Sequence, residues 1–285
     1  MNKKILNTVI STSLIGTALV LPGCGGGGGG SSATAKVPAN AVVIDSSNAE
    51  PTVQSAASSA QNVGQAFSAI GAETPTNASL KGKLHIVDQI IRKSTVSGDS
   101  SATTATGASG TYYCPGGGSV SGSYSTSGNT TSGSATFSSC SEGTLTINGS
   151  LKFSDTYNNS TGDYSDSASG NLSMVDSSSN LKISFAGLDY AETGNDFNGT
   201  YTISKMTFSV DFTTGGTTGG GFLFELQAPI VESSGGFYSC PESGDILITG
   251  ANGTTAEGIF NGDDTVTIKA NGSVVNPAAS CVGYY

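Results

Sequence analysis

The chain is 285 residues long and only 11% charged, contains 41 glycines and no tryptophan, and carries a formal net charge of −10. So acidic a surface repels nucleic acid and anionic lipid headgroups, which argues against a polyanion as partner. A hydrophobic content of 36% suffices for one core if the apolar residues are regularly spaced, and the glycine excess assigns much of the remainder to turns, tethers and strands.

Met1-Asn2-Lys3-Lys4 forms a short positive head, and Ile5 to Leu21 is an uncharged, mostly apolar stretch of signal-peptide length, too short for a stable membrane span. It ends in Leu21-Pro22-Gly23-Cys24. This run resembles the lipobox of bacterial lipoproteins, in which an aliphatic residue, a small one and Gly or Ala precede a cysteine that is diacylated before cleavage. Pro22 departs from the small residue usual at its place. The resemblance implies a signal peptide over residues 1–23, lipid attachment at Cys24 and a place in the bacterial cell envelope. Gly25, where retention in the inner membrane calls for Asp, implies the outer membrane. Two or three acyl chains, at about 0.8 kcal/mol per buried CH₂, anchor a domain durably. Removing Lys3 and Lys4 takes the net charge to about −12.

Gly25 to Gly30, followed by Ser31-Ser32, has no side chains to pack, so residues 24–45 read as a lipidated cysteine and flexible tether. No Gly-Lys-Ser/Thr follows to make the run a phosphate loop. Residues 46–95 read as a helical segment. Asn48 can cap, Pro51 suits a first turn, and Val53, Ala56, Ala57, Ala60, Val63, Phe67 and Ile70 recur at three- and four-residue steps. A second candidate helix runs from about Ser79 to Lys93 on Leu80, Leu84, Val87 and Ile91. Residues 96–109 are polar and small and predict a linker.

From Gly110 to Tyr285 the period is two. Leu145, Ile147, Gly149, Leu151 and Phe153 alternate with polar residues, and similar alternation appears at Phe197–Ile203, Met206–Phe212 and Phe222–Ile230. Keeping apolar residues in phase predicts straight strands through Asn148-Gly149 and Asn198-Gly199. It predicts a four-residue loop over Asn261 to Asp264 that opposes Phe260 to Thr265. The phase slip between Ile203 and Met206 predicts a bulge. The expected fold is mainly β, an antiparallel meander, barrel-like or sandwich, of strands around ten residues long, preceded by a short helical segment. A transmembrane barrel would share the alternation, but before Tyr285 the positions Gly283, Cys281, Ala279 and Pro277 make no hydrophobic row.

Four cysteines remain after Cys24, an even number that predicts two disulfides from three possible connectivities. Tyr112-Tyr113-Cys114-Pro115 and Phe237-Tyr238-Ser239-Cys240-Pro241 are two copies of one local device, each followed by strands and a second cysteine, which favours Cys114 with Cys140 and Cys240 with Cys281. Without a Cys-x-x-Cys pair, thiol metal binding is not expected. In the aromatic doublets at 112–113, 237–238 and 284–285, one ring of each pair is expected inside and one outside.

No catalytic set emerges. His85 is the one histidine, no Gly-x-Ser-x-Gly is present, and Gly98-Asp99-Ser100 lies in the linker. Ser179-Asn180-Leu181-Lys182 begins a strand, not the helical turn its spacing would need. Asp163 with Asp166 and Asp263 with Asp264 are expected in turns, and Asn195 to Gly199 has only a fragment of calcium-loop spacing. The sequence therefore predicts no enzyme, cofactor or metal, but a non-catalytic envelope module with a binding or structural role, attached to the membrane by lipid and meeting a protein or small-ligand partner. The alternatives are a hydrolase using carboxylates or a bound metal, and a component of a surface filament. The order of lipobox, glycine tether, helix and long-stranded β-domain loosely resembles that of surface lipoproteins of the factor H-binding type.

Overall fold

The computed structural model of the protein describes residues 34–68, 107–178, 181–214, 217–232 and 240–281. Outside them lie the expected signal peptide, Cys24 and glycine run, the second helix with His85, most of the linker, and the doublets at 237–238 and 284–285. Among the described residues one α-helix, α1 (Ala49–Ser68), precedes twelve strands. These are β1 (Gly107–Tyr113), β2 (Ser119–Ser127), β3 (Thr130–Glu142), β4 (Leu145–Tyr157), β5 (Asp163–Asp176) and β6 (Leu181–Asn195), then β7 (Thr200–Thr214), β8 (Thr217–Glu232), β9 (Ser243–Thr249), β10 (Thr255–Phe260), β11 (Thr265–Ala270) and β12 (Ser273–Ser280). All pair antiparallel with their sequence neighbours in a single sheet of order β1 to β12. The fold is the mainly β meander with a preceding helix that the alternation predicts, and pairing begins at Gly107, slightly before the expected boundary.

The strands run longer than ten residues in the middle of the sheet, reaching 16 in β8. Asn148-Gly149 lies within β4, as the phase argument requires. Asn198-Gly199 does not follow that argument, for it belongs to the turn between β6 and β7. Asn195 Oδ1 accepts from the N–H groups of Phe197 and Asn198, Gly199 N–H donates to Asn195 O, and Gly199 takes a left-handed φ of 69°. Local asparagine hydrogen bonding thus overrides the apolar phase, leaving Phe197 67% exposed. At the β10–β11 loop the expected register is also corrected: Phe260 opposes Val266, not Thr265. Directly opposed residues share a face, and pairing the two buried apolar side chains requires one more loop residue, with Asp264 at φ 60°. The bulge falls where the phase slips. Glu192 opposes Ile203 and Ala191 opposes Lys205, which leaves Ser204 over.

Asn48 O accepts the first helical hydrogen bond, from Thr52. Its side chain does not cap α1 but turns back, accepting from Asp45 N–H and donating to Val43 O. The spaced Val53, Ala56, Ala57 and Ala60 form the buried stripe. Gly258 on β10 admits this helix, since a Cβ there would stand 2.7 Å from Val53 Cγ1. α1 touches β9 to β12 and also β5. In a flat sheet β5 and β9 would lie about 19 Å apart, more than a helix's width, so the sheet curls around α1. The helix is therefore part of one core with the β-residues rather than a separate layer before them. Inside that core Phe208 stacks on Phe224 with ring centroids 4.8 Å apart, and Phe185 meets Phe208 edge-on at 5.9 Å. Among the described residues no helix is long and apolar enough to cross a membrane.

Residues 36–45 form a strap around one end of the sheet. Lys36 N–H donates to Ser209 Oγ, whose hydroxyl returns a hydrogen bond to Lys36 O, and Asn40 Nδ2 donates to Asp211 Oδ1. Ser209 and Asp211 point away from the face that buries Phe208 and Val210, so the strap starts on the outer face. Beyond the end of β9 it takes the vacated place beside β8, where Ala41 bridges Gly221 in parallel and Val42 bonds both Gly221 and Ala251. Ile44 then enters the core, its N–H held by Thr254 Oγ1 and its carbonyl by Asn271 Nδ2.

Candidate functional site: a buried carboxyl and tyrosine layer

The opposite end of the sheet has a different chemistry. Following the inner face of β4 outward, the phase that buries Leu145, Ile147 and Leu151 continues through Phe153 to Asp155 and Tyr157. Register then sets two rows across five strands. In the first, Asp155 opposes Asp166, Asp166 opposes Glu192, and the row continues into Ile203 and Ile230. In the second, Tyr157, Tyr164, Gly194, Tyr201 and Glu232 follow one another. Cross-strand neighbours have Cβ atoms about 5 Å apart, and like charges at that spacing repel. The backbone therefore forces three carboxyls into contact range.

Glu192, 6% exposed, is clamped by two phenols. Tyr164 Oη donates to Oε1 at 2.5 Å and Tyr190 Oη donates to Oε2. The Tyr164 ring reaches this position by lying over Gly194, where a Cβ would overlap it. Burial, then the Glu192 charge, pushes both phenols above their ordinary range, so they remain donors. Burial also raises the Glu192 carboxyl against the lowering effect of the two tyrosines.

Asp166, 9% exposed, receives no hydrogen bond among the described residues, and burial together with the charges of Asp155, Glu192 and Asp196 pushes it up to about 8. Burial raises Asp155 as well. Glu232, 3% exposed, accepts from Tyr201, but its Oε2 has no partner among the described residues; burial, with the Glu192 charge in addition, lifts it to about 7. The inner faces of β4 to β8 carry no described Lys or Arg, and Lys205 pairs with Asp189 on the outer face. Among the described residues no group of three or more His, Cys, Asp or Glu is gathered so as to hold a metal ion.

The turns at this end are bound to each other. Asn195 Nδ2 donates to Thr161 O and Asp163 Oδ1, and Asp196 N–H donates to Gly162 O. Thus the calcium-like fragment beginning at Asn195 is a hairpin turn whose amide serves its neighbours. Asp163 and Asp166, expected in a turn, both lie in β5 on opposite faces; Asp163 is exposed and lowered by Thr161 and Asn195. Asp263 and Asp264 do lie in a loop. Tyr112 packs against the core and Tyr113 is 79% exposed, in line with the alternation.

Each end also carries a disulfide: Cys114 joins Cys140, with Cα atoms 5.4 Å apart, at the strap end of the sheet, and Cys240 joins Cys281, at 5.5 Å, at the carboxyl end. The sequence reading missed Asp155, Glu192 and Glu232 and placed Asp166 in a turn. The available signal was phase, because each continues the inward-facing parity of its strand. No family model, no curated protein and no solved structure matches this chain.

Proposed function

We propose that the protein is a lipid-anchored lipoprotein of the bacterial outer membrane, attached through Cys24, whose β-domain has a non-catalytic binding or structural role toward a protein or small-ligand partner, and none toward nucleic acid. The observation that carries this reading is the strap. The roughly ten residues from Cys24 to Thr34 extend at most about 35 Å, and they lead into the strap at one end of the sheet. Strands of 15 residues, such as β7, carry the sheet about 50 Å from that end to the other. A domain leashed by its strap end presents the carboxyl end, with Phe197, to whatever approaches from solution. The formal charge of −10 suits a partner other than a polyanion.

The test is metabolic labelling with a palmitate analogue, comparing the wild-type chain with Cys24→Ala. Labelled, membrane-fractionating wild type and unlabelled, released Cys24→Ala are expected. Unlabelled wild-type protein in the soluble fraction would overturn the anchor. Protease added to intact cells then separates an outward-facing domain from a periplasmic one.

A further inference from the structure

We propose that the Asp155–Asp166–Glu192 row, with Glu232 beside it, is a proton-operated latch that holds the carboxyl end of the sheet closed when protonated and releases it when ionised. This inference is independent of the lipid anchor.

Three features carry it. The β4–β5–β6 register places three carboxyls directly opposite one another on the inner face, where ionising one sets a charge beside the next. Among the described residues the groups facing the row are acidic, hydroxyl-bearing or apolar: Thr131 from β3, Tyr157 from β4, Tyr164 from β5, Tyr190 from β6, Asp196 from the β6–β7 turn, Tyr201 from β7, Glu232 from β8 and, from α1, Ala57 and Ala60 near Ile203 and Ile230. None is a cation. Finally, Glu232 has a buried oxygen with no hydrogen-bond partner among the described residues, a setting in which the neutral, protonated carboxyl costs less than the ionised one. With no metal-holding group among the described residues and exposures below a tenth for Asp166, Glu192 and Glu232, the proton is the ligand that fits.

The sign follows from linkage. A carboxyl whose folded pKa is raised binds more protons in the folded state, so its contribution is fully present below the unfolded value near 4 and is lost as pH climbs through the folded value. For Asp166 and Glu232 the loss is complete above about 8 and about 7. The closed end is the acid form. Opening requires the distal parts of β4, β5 and β6 to separate, which exposes the Tyr164 and Tyr190 phenols to water.

Amide hydrogen exchange on the full chain tests this, expressed as protection factors so that the intrinsic pH dependence of exchange cancels. Between pH 5.5 and 8.5, protection at Ser165–Ser167 and Tyr190–Thr193 is expected to fall about tenfold or more, while that at Ile246–Ile248 stays within about twofold. In Asp166→Asn the fall is expected to shrink to about threefold or less. Equal behaviour of both regions in wild type, or an undiminished fall in Asp166→Asn, would overturn the latch. If Asp166→Asn does not fold, the wild-type comparison decides alone.

Discussion

Asp166 and Asp176 lie on the same strand, both on its inner face and both about a tenth exposed or less, yet they stand in opposite conditions. Asp176, at the strap end, accepts from Ser178 N–H at 3.0 Å and from Ser178 Oγ at 2.7 Å. Asp166, at the other end, has Asp155 on one side and Glu192 on the other. Burial alone therefore does not determine what a carboxyl does to a fold. Two local donors make a buried carboxylate a structural acceptor, whereas two carboxyl neighbours make it a site that retains its proton. The turn residues decide between these outcomes, since Ser178 lies two residues on, in the turn after Asp176.

The disulfides give the strongest way to sharpen that contrast. In the chain-entropy model, Cys240→Ser with Cys281→Ser costs about 4 kcal/mol and Cys114→Ser with Cys140→Ser about 3.5 kcal/mol, both read by urea unfolding. If the two ends differ as described, only the Cys240–Cys281 deletion should steepen the pH dependence of stability. Next in size is Asp166→Asn, which should stabilise the fold by about 2 kcal/mol at pH 8.5, after allowing for solvent screening, and change it by less than about 0.5 kcal/mol at pH 4. Thermal melts at the two pH values check this, and equal effects at both would break the comparison. The smallest effect is the opposite one: Asp176→Asn should destabilise by about 1 to 1.5 kcal/mol at pH 7, because the amide weakens the hydrogen bonds from Ser178. A stabilising result there would erase the distinction between the ends.

Most of the architecture was legible because it follows from period. Alternation over Leu145 to Phe153 has one satisfactory reading when one face is buried, and the slip before Met206 has one satisfactory remedy. The turns were less legible. Asn-Gly at 148 and 198 looks alike in sequence, and what separates them is the upstream Asn195 side chain, which supplies the hydrogen bonds of a turn at 198. The carboxyl layer was written in the same alternation, but charged residues in an inward phase read as exceptions until register shows Asp155, Asp166 and Glu192 to be neighbours. Long-range pairing of this kind has no local signature.

The strap has a consequence for the order in which the molecule assembles. Its hydrogen bonds reach partners 171 to 227 residues further along the chain, and α1 rests on β9 to β12. The strap, made before the sheet, thus has no seat until the last strands exist, and its contacts carry the largest loop-closure cost in the fold. The meander can grow hairpin by hairpin from local contacts, with the strap and helix closing over it afterwards. A segment that docks last stays exposed while the rest of the chain is still arriving.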